Sequence, residues 1–335
     1  MEITVTAPNR IDLAGGTTDL YPLYLLMDGG YTVNLAISLN SRVILRELGQ
    51  PGIRIISEDL EESVESPSPE GLSIDGRLGL IARAVRAIPL TTGVEIVTRN
   101  GAPAGSGLGA SSALLVALLK GLMKMRSDEG DPRSIIDLAV NIETTAIGVP
   151  AGKQDHIAAV YGGVSLIDFG YRDFVRHTVS EGHTTHERLE EMIVLSYTGE
   201  GRFSGMNNWE ITKGFIDNVG GIREKLLRIR DVAREVGRAV LSGEWDDLGP
   251  LVDQEWRLRR MLAPGVSTPR IESIMAAASA AGALASKICG AGGGGCMITL
   301  VASPRRHAVE KAIVDAGGEI IPFKIDQEGL VSTHA

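Results

Sequence analysis

Aromatic side chains are scarce: Phe, Trp and Tyr make up 4% of the chain. The core must therefore be built from aliphatic side chains and alanine, and no aromatic cluster advertises a base-stacking or purine-binding surface. Basic surplus is also lacking, since the formal net charge is -9. A nucleic acid or anionic membrane as partner is thereby disfavoured, because both need a concentrated positive field. Only two cysteines occur, Cys289 and Cys296, at a spacing that fits neither a CxxC metal site nor a disulfide framework. They are expected to be small buried thiols. No apolar run approaches the roughly 20 residues that span a bilayer. The opening "MEITVTAPNR" carries no apolar targeting segment, so a cytosolic (cytoplasmic) protein is expected. "HTTH", holding His183 and His186, lacks the accompanying ligands of a metal centre and reads as a solvated loop.

Glycine, by contrast, is plentiful, with 41 residues, and it is concentrated. The 335 residues suit two domains better than one. In the first half "EITVTA", "YTVNLAI", "RVILRE", "IRIIS" and "VEIVTR" read as short half-buried strands. The second half is richer in amphipathic helix ("GGIREKLLRIRDVAREVGRAVLSG", "PRIESIMAAASAAGALAS", "PRRHAVEKAIVDAGG"), with "CMITLVA" and "GEIIPFKI" as strands. This order suggests an α+β layer at the C-terminal end. The polar, poorly periodic stretch 169–190 is the place for a boundary.

"PAGSGLGASSALLVALLKGLMKM" runs a glycine-rich turn straight into an apolar helix. Glycine at 105, 107 and 109 brings no side chain to pack, whereas a helix N-terminus offers unpaired N–H groups and a partial positive charge to an anion. Phosphate binding is one reading; a tight turn opening a core helix is the other. The pattern is neither Walker A nor GxGxxG, and "GVPAGKQ" lacks the hydroxyl residue that should follow a P-loop lysine. "KICGAGGGGC" is a second glycine loop, and together the two suggest a ligand clamped between domains.

Two acidic residues stand out. "DPRSIIDLAVNIETTAIG" predicts a helix over 132–147, with Asp131 as N-cap and Gly148 as terminator. Glu143 shares its apolar face with Ile136, Val140 and Ile147, which suits either an edge residue or an oxygen ligand for Mg²⁺. Asp155, in the loop after "GVPAGKQ", suits a base for a hydroxyl or a helix cap.

Taken in order, "APNRIDLAGGTTD", "PAGSGLGASSA", "E…GVPAGKQD" and "KICGAGGGGC" resemble the motifs of the GHMP small-molecule kinases, the family of galactokinase, homoserine kinase, mevalonate kinase and phosphomevalonate kinase. The resemblance implies an α+β, two-domain GHMP kinase fold. Its N-terminal part (1–170) would be a ribosomal-protein-S5-like α/β ATP-binding domain, and its C-terminal part (171–335) a ferredoxin-like domain. It implies ATP and Mg²⁺ as cofactors, with the phosphates held along Pro103, Gly105, Ser106, Gly107, Leu108, Gly109, Ala110, Ser111 and Ser112. It makes Ser111 and Glu143 metal ligands, Asp155 the catalytic acid residue and Arg10 its partner beside the reacting hydroxyl.

The substrate would be contacted by Gly16, Thr17, Thr18, Asp19, Arg202, Gly292 and Gly293. "AGKQD" is one residue longer than the mevalonate-kinase pattern. With "LAGGTTD" and "YTGEGRFS" it looks most like the heptose 7-phosphate kinase branch, which would phosphorylate the anomeric hydroxyl of a sugar phosphate. Hexose 1-kinases and mevalonate- or homoserine-type kinases are the neighbouring readings. A non-catalytic sugar sensor should lack an acid or metal ligand, yet Arg10, Ser111, Glu143 and Asp155 are all present. A small molecule is thus the expected partner, for a monomer or a homodimer.

Overall fold

The computed structural model describes residues 1–179, 183–201 and 205–334. Two long antiparallel strands, β1 (Glu2–Ala14) and β2 (Gly30–Leu48), form its spine, with α1 (Leu23–Leu26) between them. The stretches "YTVNLAI" and "RVILRE" are thus parts of one continuous strand. Its second half pairs with β5 and its first half with β6. The chain continues through β3 (Ile53–Ser57), β4 (Glu62–Ser66), α2 (Gly79–Ala87), β5 (Gly93–Asn100), α3 (Ala110–Met125), α4 (Pro132–Ile147), α5 (Gln154–Tyr161), β6 (Val164–Gly170), β7 (Asp173–Thr178) and α6 (His183–Met192). Helices α2, α3 and α4 cover one face of this sheet with the aliphatic residues the composition demanded.

In β1 burial alternates as far as Ala7 and then becomes continuous to Ala14. The first part is half-buried strand, whereas the second is enclosed on both sides, by α3 and α5 and by the C-terminal part of the chain. A polar side chain on that second stretch needs a partner or a ligand. Asn9, Arg10 and Asp12 all lie there.

The rest of the chain gives β8 (Ile193–Tyr197), α7 (Gly205–Ile216), α8 (Ile222–Ser242), α9 (Trp245–Arg259), α10 (Pro269–Ala280), β9 (Ala285–Ile288), β10 (Cys296–Leu300), α11 (Arg306–Asp315), β11 (Glu319–Ile320) and β12 (Val331–His334). Strands β8 to β11 form an antiparallel sheet in the order β11-β8-β10-β9, the split βαβ arrangement of ferredoxin-like folds.

The turn after residue 170 joins β6 to β7, so β7 remains in the first sheet. Strand β12 returns to that sheet and pairs with β1. The first sheet therefore runs past residue 170 to Thr178, a point still within the stretch 169–190. That stretch looked irregular because β7 is an edge strand that buries little beyond Phe174. "HTTH" is likewise not a solvated loop, since it opens α6 and His186 is buried. No helix among the described residues is long and apolar enough to cross a membrane.

Candidate active site

Gly105, Gly107 and Gly109 have φ of 68, 73 and 75°, the left-handed region that glycine enters without steric cost. Space is a second constraint. A Cβ on Gly107 would stand 2.6 Å from the carbonyl oxygen of Cys289, and one on Gly109 would stand 3.1–3.2 Å from the Asp155 carboxylate. Gly109 also starts α3, which no side chain caps. The first-turn N–H groups, those of Ala110, Ser111 and Ser112 among them, are left to an incoming anion.

Pro103 accepts from the Ser106 N–H at 3.1 Å, and Ser106 accepts from the Cys296 N–H at 2.6 Å. Leu108 is fully buried, and its carbonyl takes the Arg10 N–H at 2.8 Å. These three therefore shape the loop from below.

The second glycine loop packs directly on the first. A Cβ on Gly295 would fall 2.6 Å from the Ser106 carbonyl oxygen. Part of its glycine content thus serves contact between two backbones. Gly290, Gly292 and Gly294 line the cleft, whereas Gly293 does not and donates its N–H to Val266. Cys289 lines it as a thiol, its pKa pushed up to about 11 by burial. Both cysteines are free and buried.

Arg10 projects from the enclosed stretch of β1. Its Nε and Nη2 lie 2.8 and 2.7 Å from Asp155 Oδ1, and Nη1 donates to the Gly107 carbonyl. One guanidinium thus ties the acid to the glycine loop. Asp155 sits in the first turn of α5 rather than in a loop. Burial pushes its carboxyl above the ordinary aspartate range; Arg10 pulls it back without cancelling the rise, and Glu143 adds to it. Lys153, next to it in sequence, turns away to Asp137 (2.7 Å) and Asp173 (3.0 Å), which removes it as a phosphate ligand.

Helix α4 runs over Pro132–Ile147 with Asp131 capping the Ser134 N–H. Glu143 Oε2 accepts from Ser112 Oγ at 2.9 Å and lies 3.0 Å from Nε2 of the fully buried His156. Burial pushes Glu143 up, but His156, Ser112 and Ser111 outweigh it and hold the carboxylate ionised. Ser111 is exposed and Ser112 buried. A carboxylate that is 13% exposed, beside an open hydroxyl at a helix N-terminus, is a hard-oxygen donor set that fits Mg²⁺. Among the described residues no group of three or more His, Cys, Asp or Glu could hold a metal. Phosphate oxygens and water would have to complete the shell.

Across the cleft lie Gly16, Thr17 and Asp19. Thr18 is fully buried and anchors the segment to β2, its Oγ1 donating to Tyr31 O at 2.9 Å and accepting from Tyr31 N at 3.1 Å. Asp19 accepts from the Gln154 N–H at 3.0 Å. Burial raises its pKa to about 6, with Asp155 and Asp12 contributing in the same direction. Arg202 lies outside the described residues.

Several contributors were not legible from motifs. His156 reads as part of an apolar helix, Asn208 lines the cleft from α7, and Asp12, Glu255, Arg259 and Lys287 form a buried charged group behind the segment 15–19. A usable signal existed for two of them. Glu255 and Arg259 stand one helical turn apart among Leu248, Val252 and Trp256, a charged pair on a buried face.

An acid held by an arginine, a left-handed glycine loop at an open helix N-terminus and a hard-oxygen pair define a phosphotransferase cleft between two α+β halves. The chain belongs to the GHMP kinase family, whose members are ATP-dependent kinases. Its residues 78–163 match the GHMP kinases N terminal domain and residues 223–317 the GHMP kinases C terminal domain. It is 29% identical over 340 residues to a D-glycero-alpha-D-manno-heptose 7-phosphate kinase of Campylobacter jejuni, with 98% of each chain covered. It is 26% identical over 345 residues to a mevalonate kinase of Thermococcus sibiricus, again with 98% of each covered. Among solved structures, a D-glycero-D-manno-heptose 1-phosphate kinase from Bacteriodes thetaiotaomicron superposes with a TM-score of 0.80. That match has 26% identity and covers 99% of both chains.

Proposed function

We propose that this kinase transfers the γ-phosphoryl group of ATP to the anomeric hydroxyl of D-glycero-D-manno-heptose 7-phosphate. The observation that carries the phosphoryl-transfer reading is the Arg10-held Asp155 carboxylate standing directly under Gly109 of the glycine loop. Such chemistry asks for positioning and charge stabilisation more than for covalent work. The N–H groups of the loop and of α3 receive the phosphates, and Arg10 favours the ionised form of Asp155 against the effect of burial. Asp155 accepts or orients the acceptor proton, while Asp19 takes hydrogen bonds from acceptor hydroxyls.

Glu143 and Ser111 would hold Mg²⁺, which neutralises charge on the transferred group. Replacing Glu143 with Gln keeps the shape and loses the charge. The Mg²⁺ concentration for half-maximal rate should rise by roughly tenfold or more, with the circular dichroism spectrum unchanged. A superimposable Mg²⁺ titration would remove Glu143 from the metal site.

The acceptor assignment rests on the heptose 7-phosphate kinase relative and on the segment "RIDLAGGTTD". Gly16 and Thr17 stand there where the galactokinase-like pattern "RVNLIGEHTD" has Glu and His. The place of a side chain at 16 is taken by Asp12 and Gln154, whose atoms lie 2.4 and 2.9 Å from where a Cβ would stand. No extra pocket opens at that point, so room for a longer substituent must come from Thr17 and beyond. Arg202 is the cation proposed for the 7-phosphate, as a guanidinium can grip phosphate bidentately.

The deciding comparison is kcat/KM for heptose 7-phosphate against galactose, fucose and mevalonate, with Arg202→Ala in parallel. Heptose 7-phosphate should lead, and the variant should lose roughly tenfold or more on that substrate alone. Preference for an unphosphorylated acceptor would leave a kinase of different specificity.

A further inference from the structure

Four charged side chains lie behind the wall formed by residues 15–19, and none of them lines the cleft. Asp12 comes from β1, Glu255 and Arg259 from α9, and Lys287 from β9. All are 0–3% exposed. Lys287 Nζ is 3.3 Å from Asp12 Oδ2 and 3.4 Å from Glu255 Oε1, and Arg259 Nη2 is 2.6 Å from Glu255 Oε1 and 3.9 Å from Asp12 Oδ2. Two acids balance two bases. Burying such a group costs desolvation that its internal attraction repays only in part, so stability alone is a weak reason for it to exist.

Its contacts point to another role. Arg259 places Nε and Nη2 on Glu255, Nη2 also on the Gly16 carbonyl at 2.6 Å, and Nη1 on Thr17 Oγ1 at 3.2 Å. Glu255 Oε1 also accepts from the Gly15 N–H at 3.4 Å. Thr17 has φ of 77°, a conformation that disfavours a β-branched residue and persists only where the surroundings impose it. Thr18 fixes the far side of the segment to β2, and Arg259 fixes the near side to the C-terminal half. Asp12 shares its face of β1 with Arg10, two residues away, and its charge acts on that guanidinium. The same cluster therefore adjoins both the acceptor wall and the catalytic pair.

We propose that Arg259, oriented by Glu255 and balanced by Asp12 and Lys287, is the positioning residue for the acceptor wall Gly15–Asp19, so that acceptor affinity is set from the second domain. The proposal rests on the kinase reading of the cleft but not on the identity of the acceptor. The fork geometry of arginine is its essential property. Lysine keeps the charge but cannot hold Glu255, Gly16 and Thr17 together.

The test uses the whole chain carrying Arg259→Lys, with the neutral pair Glu255→Gln/Arg259→Met as a second variant that leaves no unpaired charge on α9. Two readouts are taken. Amide hydrogen exchange at Thr18 and Leu20, whose N–H groups bond to the carbonyls of Gly15 and Thr17, should quicken by roughly tenfold or more in either variant. Affinity for ADP, which reports on the glycine loop, should stay within about twofold.

KM for heptose 7-phosphate should rise by roughly tenfold or more, the scale of one lost charge-assisted bond, with kcat changed less. Unchanged exchange at Thr18 and Leu20 in a folded variant would overturn the proposal. So would a parallel loss of ADP affinity, which would mark general distortion. If the wild-type protein does not turn over heptose 7-phosphate, the acceptor assignment has failed, and exchange with ADP affinity decides the role of Arg259.

Discussion

Asp155→Asn should lower kcat by roughly two to four decades, the usual contribution of a positioned general base, while the Kd for MgATP stays within about threefold. Asparagine occupies the same volume, so the 3.1–3.2 Å fit against Gly109 survives, and the glycine loop should still receive the nucleotide. Lost is the charge that accepts or orients the proton. Arg10 would keep its bond to the Gly107 carbonyl and the nearby charge of Asp12, which argues against wholesale unfolding.

The wild-type pH profile is a second check with a definite sign. Burial raises Asp155 above the usual aspartate range, so its ionised fraction falls earlier than normal on acidification. The acid side of kcat/KM, which reports the free enzyme, should therefore include a titration above the ordinary carboxylate value of about 3.9 that the residual activity of the variant lacks. Turnover within a few-fold of wild type would take Asp155 out of the chemistry.

The reach of the sequence varies with how local the physics is. Helix α4 has its cap, its N1 proline and its terminating glycine within one short stretch, and the sequence marks both of its ends. The three glycines of the first loop were also legible, because a left-handed backbone has few residues that can adopt it. The sequence reads Asp155 as a loop residue because α5 is only about two turns long and lacks a capping side chain. Strand β2 reads as two strands in the sequence because its burial pattern changes where it crosses from one set of neighbours to another.

Of the charged group behind the acceptor wall, only the Glu255/Arg259 pair leaves a trace in the sequence. Lys287 sits fully buried in the short strand β9 between Ser286 and Ile288, and its partners Asp12 and Glu255 lie far away in sequence. Gly293 is a converse case. Its motif suggested ligand contact, but its N–H is used to join the loop to Val266.

Asp19→Asn should separate stability from function in opposite directions. The carboxyl of Asp19 is 2% exposed, and burial raises its pKa from 3.8 to about 6, with the charges of Asp155 and Asp12 opposing ionisation further. A folded-state pKa above the unfolded one means that folding favours the protonated form. That contribution is fully present below about pH 3.9 and is lost as the pH rises through about 6. At neutral pH the ionised side chain thus destabilises the fold by an amount on the order of 3 kcal/mol.

Asparagine removes this cost and can still accept the Gln154 N–H through its amide oxygen. A gain of a few degrees in Tm is expected at pH 7.5, shrinking to nothing as the pH is lowered towards 4. Acceptor binding should weaken in the same protein. A carboxylate receives hydroxyl donors more strongly than a neutral amide does, so KM for the acceptor should rise by roughly tenfold or more while ADP affinity is unchanged. The wild-type enzyme should show the same rise in KM as the pH falls below about 6, because protonation of Asp19 imitates the substitution. A variant with unaltered or lower Tm at pH 7.5 would show that the strain at Asp19 is relieved by other means. An unaltered acceptor KM would place its carboxylate outside the recognition of substrate.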